Sequence, residues 1–368
     1  MVGWSFHGAG HNRCDSHPTS SVKQLSRLSP VNCATPTVSI VIPAFNRIAP
    51  LQRTLLNAMS AAERLGEPLE ILLVDDGSEP PLDTALGVQI DPRRVRIIRQ
   101  ANQGSIVARQ TGLREACGEF VLFLDSDDLI APEKIRLHVA RLRTAAADVC
   151  YDDVGEPQPG AEDLESPRTR THLPLVHTIE ELALRVQPAP HGPIYRRAYL
   201  NRAIAKPLLP PLRQCDSVGD IWLYYNLCIF PARIVKIDAP LTLPGQHEEA
   251  RYSYHWERLG FASLGVMESF MQRCPVTPAT DAARMLVGEC AFNSWRRLPR
   301  GFVPEFSSRL LAIWREAPAH DRMQLGGPLF RTFARLLGCV AAGRLLRLRN
   351  ASYANIRTID DTELAGLL

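Results

Sequence analysis

Apolar runs alternate with stretches of helical spacing over the first third of the chain. Residues 38–42 (VSIVI) form a β-branched run stopped by Pro43, the pattern of a buried strand. Pro50 then opens a segment with Leu51, Leu55, Ala58, Ala62 and Leu65 on one helical face, ended by Gly66 and Pro68. Residues 69–74 (LEILLV) predict a second strand, which runs directly into Asp75, Asp76, Gly77 and Ser78. A short, poorly periodic segment to Gly87 precedes a third strand at 95–98. Residues 102–105 (NQGS) predict a turn, and the helix after it carries Ile106, Leu113 and Cys117 on one face. A fourth strand at 120–124 (FVLFL) ends abruptly in Asp125, Asp127 and Asp128, and Ile135, Val139 and Leu142 then recur at helical spacing. This alternation predicts a Rossmann-like, mostly parallel α/β sheet with right-handed crossovers and helices on both faces.

Farther along, residues 148–153 (DVCYDD) predict another strand, and a Pro-, Glu- and Arg-rich stretch to Pro174 predicts a mobile loop that closes over a ligand. Residues 233–243 predict a closing strand pair. From about residue 256 the pattern is helical, with Met285, Cys290, Phe292 and Trp295 in one block and Leu310, Leu311 and Trp314 in the next. Residues 330–349 mix apolar side chains with five arginines and no acid. Such a helix either lies on an anionic membrane surface or packs on the body of the protein with its arginines in water. Residues 1–36 are polar and without apolar period, and predict a disordered leader whose His7, His11 and His17 are solvated. The expected organisation is therefore a leader over 1–36, a catalytic domain over 37–255 and a helical region over 256–368.

Composition narrows the class without naming the chemistry. A chain of 368 residues with 45% hydrophobic and 22% charged residues is ordinary for a globular protein. A formal charge of +3 gives no argument for a nucleic-acid partner. Nine scattered cysteines without a Cys-x-x-Cys pair suit reduced thiols, and hence a cytoplasmic chain. No stretch has the length and apolarity of a membrane span, and the N-terminus lacks the basic-then-apolar pattern of a signal peptide.

The carboxylates after the fourth strand carry the first chemical hypothesis. Side chains alternate along a strand, so Asp125 and Asp127 are expected to point the same way, at the edge where open α/β sheets bind ligands. Two parallel carboxylates suit a hard divalent cation, Mg²⁺ or Mn²⁺, which also binds phosphate oxygens. A solvated acidic turn is the plainer alternative.

Four segments in register, VSIVIPAFNR, ILLVDDGS, NQGSIVARQTGL and GEFVLFLDSDD, resemble the family-2 glycosyltransferases of the GT-A fold, over about residues 37–250. The resemblance implies an inverting transfer of sugar from a nucleotide-diphosphate donor, UDP-linked by the family's base rate, to an acceptor hydroxyl in glycan or cell-surface polysaccharide synthesis. It implies nucleotide contacts from Pro43, Ala44, Phe45, Asn46, Asp75 and Asp76, with Arg109, Asp125 and Ser126 on the diphosphate side. Asp125 and Asp127 take the positions of the metal site, and His247 is a further candidate ligand for metal or phosphate. His191 lies in the segment similar to the acceptor side. The catalytic base falls at Asp220, with Asp216 as its rival. Here the sequence departs from the family's acidic pair, since Gly219 stands where the first acid is usual. That departure keeps a catalytically silent nucleotide-sugar-binding module alive as an alternative, and a sugar nucleotidyltransferase is a second.

Overall fold

A computed structural model describes residues 35–87, 91–158, 164–245, 255–318 and 325–368. Its strands are β1 (Val38–Ala44), β2 (Leu69–Asp75), β3 (Val95–Arg99), β4 (Phe120–Phe123), β5 (Leu129–Ile130), β6 (Val149–Glu156), β7 (Arg168–Thr171), β8 (Ile194–Arg196) and β9 (Ile234–Leu243). The helices before the last strand are α1 (Ile48–Leu65), α2 (Leu82–Ala85), α3 (Ser105–Glu115), α4 (Lys134–Thr144), α5 (Ile179–Glu181), α6 (Arg197–Ile204) and α7 (Gly219–Leu227). After it come α8 (Trp256–Arg273), α9 (Asp281–Arg297), α10 (Pro304–Glu316), α11 (Pro328–Leu337), α12 (Cys339–Arg347), α13 (Tyr353–Ile356) and α14 (Asp361–Leu367).

The strands form one sheet in the order β3-β2-β1-β4-β8-β6-β9-β5, with β7 paired to the C-terminal end of β6, beyond the residues that meet β8. The first four are parallel, Val38 lying opposite both Leu69 and Phe120. Beyond them the sheet is mixed, because β8 runs antiparallel to both β4 and β6, whereas β9 runs parallel to β6. The segment read as a mobile loop is in part ordered, since β7 pairs antiparallel with β6 through Val154 and Thr171. The expected closing strand pair is a single long strand, β9, which also holds the short β5.

Strand alternation divides the core between the two faces of the sheet. Ile40, Ile42, Ile71, Leu73 and Leu122 face α1 and α4 and meet Leu51, Leu55, Ala58, Ile135 and Leu142. Val41, Leu72, Val74, Val121 and Phe123 face the other way, toward Ile106 and Leu113 of α3 and Leu223 of α7. That second core continues without a break into Phe261, Phe270, Phe292, Trp295 and Trp314 of α8, α9 and α10. The expected boundary near residue 256 is therefore a change of architecture within one core, and residues 35–368 form one compact unit.

A charged cluster sits beneath the sheet's mixed half. Lys134, His138 and Asp152 are all fully buried. Lys134 Nζ pairs with Asp152 and donates to Gly192 O at 2.7 Å and Thr242 Oγ1 at 3.0 Å. His138 Nε2 lies 2.7 Å from Asp152 Oδ2, and Thr242 Oγ1 donates to Asp152 Oδ1 at 2.6 Å. Each buried charge thus has partners, which is the condition for keeping it inside.

Candidate active site

Three parallel strands end at the same edge, and their exits build the site. A cleft of about 1230 Å³ opens there, floored by Pro43, Ala44 and Phe45 after β1, Asp76 after β2, and Asp125, Ser126 and Asp127 after β4. Gly219 and Asp220 at the start of α7 and Arg109 of α3 also line it. Nearly all the residues singled out from the sequence therefore meet on one surface. Among the described ones, Asn46, Asp75 and His191 are the exceptions.

Asp75 and Asp76 divide the tasks assigned to them jointly. Asp75 is 1% exposed and turned inward. It accepts from the backbone N–H of Ser78 at 2.8 Å and Leu82 at 3.2 Å and pairs with Arg99 Nη1 at 2.6 Å. Burial pushes its carboxyl up, but the bonds from Ser78, Leu82 and Arg99 outweigh that and hold it below the usual range. Asp75 is thus the cap of the turn. Asp76 faces the cleft, and its oxygens accept from Gln100 Nε2, Gln103 N and Gly104 N at 2.8–2.9 Å. Three donors leave a carboxylate one acceptor position for a ligand. Asn46 joins the two loops instead of lining the cleft, its Oδ1 accepting from Glu79 N at 2.8 Å. Its φ of 53° is one that Asn tolerates better than most residues.

The acids after β4 differ from the expected strand-end pair. The strand stops at Phe123, so Asp125 and Asp127 lie in the turn that Asp128 N closes on Asp125 O at 3.1 Å. Both still reach the cleft, and each carries a guanidinium. Arg109 Nη2 meets Asp125 Oδ1 at 2.5 Å, and Arg47 Nη1 pairs with Asp127. Arg47 stands in the first motif but was given no role from the sequence; its signal was a cation placed directly after the Pro43–Asn46 loop. Asp128 turns away from the cleft toward His191, whose Nδ1 lies 2.9 Å from Asp128 Oδ2. His191 is fully buried, so it supports this turn from beneath.

Asp125 and Asp127 suit a divalent ion on the chemistry of their donors. They are hard oxygen ligands, they are partly exposed to the cleft, and their charge is at present balanced by side-chain cations. Two carboxylates complete a Mg²⁺ or Mn²⁺ shell only together with phosphate and water oxygens, and among the described residues no third His, Cys, Asp or Glu joins them. His247 lies outside the described residues.

Asp216 and Asp220 have separate environments. Asp216 sits over the N-terminus of α3, where Ile106 N donates to its Oδ1 at 3.2 Å. A Cβ on Gly104 would lie 1.6 Å from Asp216 Oδ2, and Gly104 has φ +93°, so this approach requires glycine twice over. Asp216, a residue from far along the chain, therefore caps α3. Asp220 has no partner of that kind; its Oδ1 accepts from Ile221 N at 2.9 Å. Burial pushes the Asp220 carboxyl up, Ile221 N–H and Arg109 oppose this, and Asp125 adds to it, leaving the group above the usual carboxylate range. Gly219 beside it has a physical reason too. A Cβ there would lie 3.0 Å from Arg109 Nη1 and 3.2 Å from Ser105 Oγ, so any side chain at 219 would press on Arg109 and Ser105.

The outer wall belongs to the C-terminal helices and was missed from the sequence. Arg258, Phe261 and Gly265 of α8, Arg309 of α10 and Leu367 of α14 line the cleft opposite the strand ends. Arg309 is held by Glu268 through Nε and Nη2, and Arg258 by Glu363. Nothing in local spacing could have placed them there, because they arrive by packing of one helix on another.

Residues 39–205 match the family described as "Glycosyl transferase family 2". Residues 39–205 thus form a family-2 glycosyltransferase domain. The chain is 28% identical over 247 residues, 64% of this chain and 68% of the other, to "Putative glycosyltransferase EpsH" of Bacillus subtilis. Over 121 residues, 32% of this chain and 35% of the other, it is 35% identical to the "Undecaprenyl-phosphate 4-deoxy-4-formamido-L-arabinose transferase" of Shewanella sediminis. It is also 31% identical over 102 residues, 28% of its own length, to an uncharacterized glycosyltransferase of Rickettsia felis, of which the match spans only 16%. In three dimensions it is similar to S. aureus TarS in complex with UDP-GlcNAc, with a TM-score of 0.55 and 17% identity over 88% of this chain and 93% of that one. It is similar also to mannosyltransferase PcManGT from Pyrobaculum calidifontis in complex with GDP-Man and Mn²⁺, with a TM-score of 0.51 and 15% identity over 89% and 91%. These structural likenesses establish the GT-A type of fold. The match over residues 39–205 favours the glycosyltransferase reading over the nucleotidyltransferase alternative.

Proposed function

We propose that the chain transfers a sugar, with inversion, from a UDP-linked donor to an acceptor hydroxyl in the synthesis of a glycan or lipid-linked saccharide. The observation that carries this reading is the gathering of Asp125, Asp127, Arg109 and Asp220 on one cleft at the ends of parallel strands. The relatives' printed activities support the reaction class, and the UDP-GlcNAc complex of TarS supports a UDP-linked donor.

On this reading the exposed ring of Phe45 and the remaining acceptor position of Asp76 receive the nucleotide base. Asp125 and Asp127 would hold a Mn²⁺ or Mg²⁺ ion, which supplies Lewis-acid neutralisation to the departing nucleoside diphosphate. Arg47 and Arg109 bring two guanidinium groups to the same place, where paired N–H donors match phosphate oxygens. Asp220 takes the proton of the acceptor hydroxyl, and the upward displacement of its carboxyl makes it a better base than an ordinary aspartate. Inversion follows if that hydroxyl attacks directly, with no enzyme nucleophile between. The dispersed cysteines support a cytoplasmic site of action.

Incubation with a panel of nucleotide sugars, with and without Mn²⁺, tests the reading. Release of UDP that requires both the metal and Asp220 supports it, and nuclear magnetic resonance of the product anomer reports inversion. Gly219 favours a second reading, a nucleotide-sugar-binding module without turnover. Tight UDP-sugar binding with no transfer or hydrolysis under any condition would select that one.

A further inference from the structure

The helices α11 and α12 leave an unusual surface. Both are anchored through one side onto α9. Phe330 and Ala334 of α11 are 3% exposed, the Phe330 ring lying 5.9 Å from Phe292 with the Arg296 guanidinium 4.3 Å from its centre. On α12, Ala342 and Gly343 face inward, and a Cβ on Gly343 would lie 2.4 Å from the Trp295 ring. The sides away from α9 carry Leu329, Leu336 and Leu337 on one helix and Leu345 and Leu348 on the other. Leu336 is 77% exposed and Leu348 64%. Five of the twelve large apolar side chains left exposed among the described residues thus fall between positions 329 and 348.

The charge around them has a single sign. From Leu325 to Ile359 the chain has six arginines and no Asp or Glu. Arg331, Arg335, Arg344 and Arg349 are exposed among the leucines. A second copy docking through this face would set arginine against arginine, and aromatic anchors of the kind that dominate protein interfaces are absent from it. Leucine interleaved with arginine on short helices is instead the composition of segments that lie in a lipid headgroup layer, apolar side down and cations at phosphate level. Among the described residues no helix is long and apolar enough to cross a membrane, so the contact is with its surface.

We infer that the outer face of α11 and α12 is a docking surface for an anionic lipid bilayer, into which Leu336, Leu337, Leu345 and Leu348 insert while the arginines engage lipid phosphates. The inference rests on this surface and is independent of the transfer reaction.

Flotation of the full chain with vesicles of phosphatidylcholine alone, or with about 30% phosphatidylglycerol, tests it. The expected result is co-flotation with the anionic vesicles only, weakened about a hundredfold in Arg331→Ala/Arg335→Ala/Arg344→Ala, since each charge contributes about fivefold near such a surface. Leu336→Asp/Leu337→Asp and, on the other helix, Leu345→Asp/Leu348→Asp are each expected to abolish co-flotation while keeping the wild-type circular dichroism melting curve. No co-flotation with anionic vesicles overturns the proposal. So does undiminished co-flotation of both leucine variants, which would mean charge attraction alone. Dimerisation in analytical ultracentrifugation that both leucine variants remove, without vesicle binding, would assign the face to a second copy. Equal competition by heparin for the leucine variants and the wild type would assign it to a soluble polyanion. UDP-sugar turnover measured without vesicles is expected to be the same in all of these variants, which separates this test from that of the reaction.

Discussion

Arg109 Nη2 stands 2.5 Å from Asp125 Oδ1, which places a cation from α3 against the first acid after β4. The same guanidinium acts on Asp220 and Asp216, so one side chain balances three carboxylates in one cleft. Burial alone would make Arg109 easier to deprotonate, and the three acids more than reverse that. Its removal leaves Asp125 and Asp220 repelling each other in a partly desolvated space. For Arg109→Gln we expect the acid limb of the kcat/KM profile against pH to move upward, because the Asp220 carboxyl loses its opposing cation. The stability loss should be about 2 kcal/mol, below that of a wholly buried pair because Asp125 keeps contact with solvent. Urea unfolding and a pH–rate profile measure the two effects. An unmoved acid limb would remove Arg109 from any electrostatic role toward Asp220.

Asp220→Asn keeps the shape of the side chain and its bond from Ile221 N, and removes only the capacity to accept a proton. A general base contributes about 10²–10⁴-fold to rate. Turnover is therefore expected to fall by that amount while UDP-sugar affinity stays within about twofold. In the wild type the rate should fall as pH drops through the raised value of Asp220, at a pH above that of an ordinary aspartate near 3.9. Calorimetric donor titration and initial rates separate the two quantities, and equal turnover in the variant would move the base elsewhere.

Asp127→Ala removes the partner of Arg47 as well as a hard oxygen ligand. If the carboxylate serves only to hold Arg47, loss of donor affinity will be the same with and without Mn²⁺. If it holds the ion, the expected result is a Mn²⁺-dependent increase in donor affinity that the wild type shows and the variant lacks. Titration of UDP-sugar at fixed Mn²⁺ and in chelator distinguishes these outcomes.

The parallel half of the fold was legible because buried parallel strands are mostly apolar runs, and β1, β2 and β4 announce themselves that way, while the edge strand β3 (VRIIR) shows the pattern more weakly. β8 was not, since three residues of strand inside HGPIYRR have too little pattern to reveal a direction opposite to β4. Asp125, Asp127 and Asp220 could be selected as residues from the motifs, but their partners could not. Arg47 reaches Asp127 across 80 positions, and Ile106 N reaches Asp216 across 110. The buried charges were hidden for a related reason. Lys134 and His138 lie four apart on α4, and their burial comes from β6 and β9, far along the chain.

That buried cluster sets a pH dependence of stability separate from catalysis. Burial, with Lys134 close by, lowers His138 to about 4 even though Asp152 opposes the shift. The unfolded chain protonates a histidine near 6.5, so below that pH the unfolded state binds a proton that the folded state refuses. Stability from this residue is full above pH 6.5, declines as pH falls toward 4, and declines no further once both states are protonated. At pH 5 the loss is about 2 kcal/mol relative to pH 7. Asp152 acts lower down. Burial raises its carboxyl, Lys134 and His138 lower it further than that, and its stabilisation is lost only as pH falls below the ordinary aspartate value. In His138→Gln the folded and unfolded states no longer differ in that proton. Urea unfolding at pH 7 and pH 5 should show the variant less stable at pH 7 but losing about 2 kcal/mol less than the wild type on acidification. An identical acid loss in both proteins would place the responsible group elsewhere in the chain.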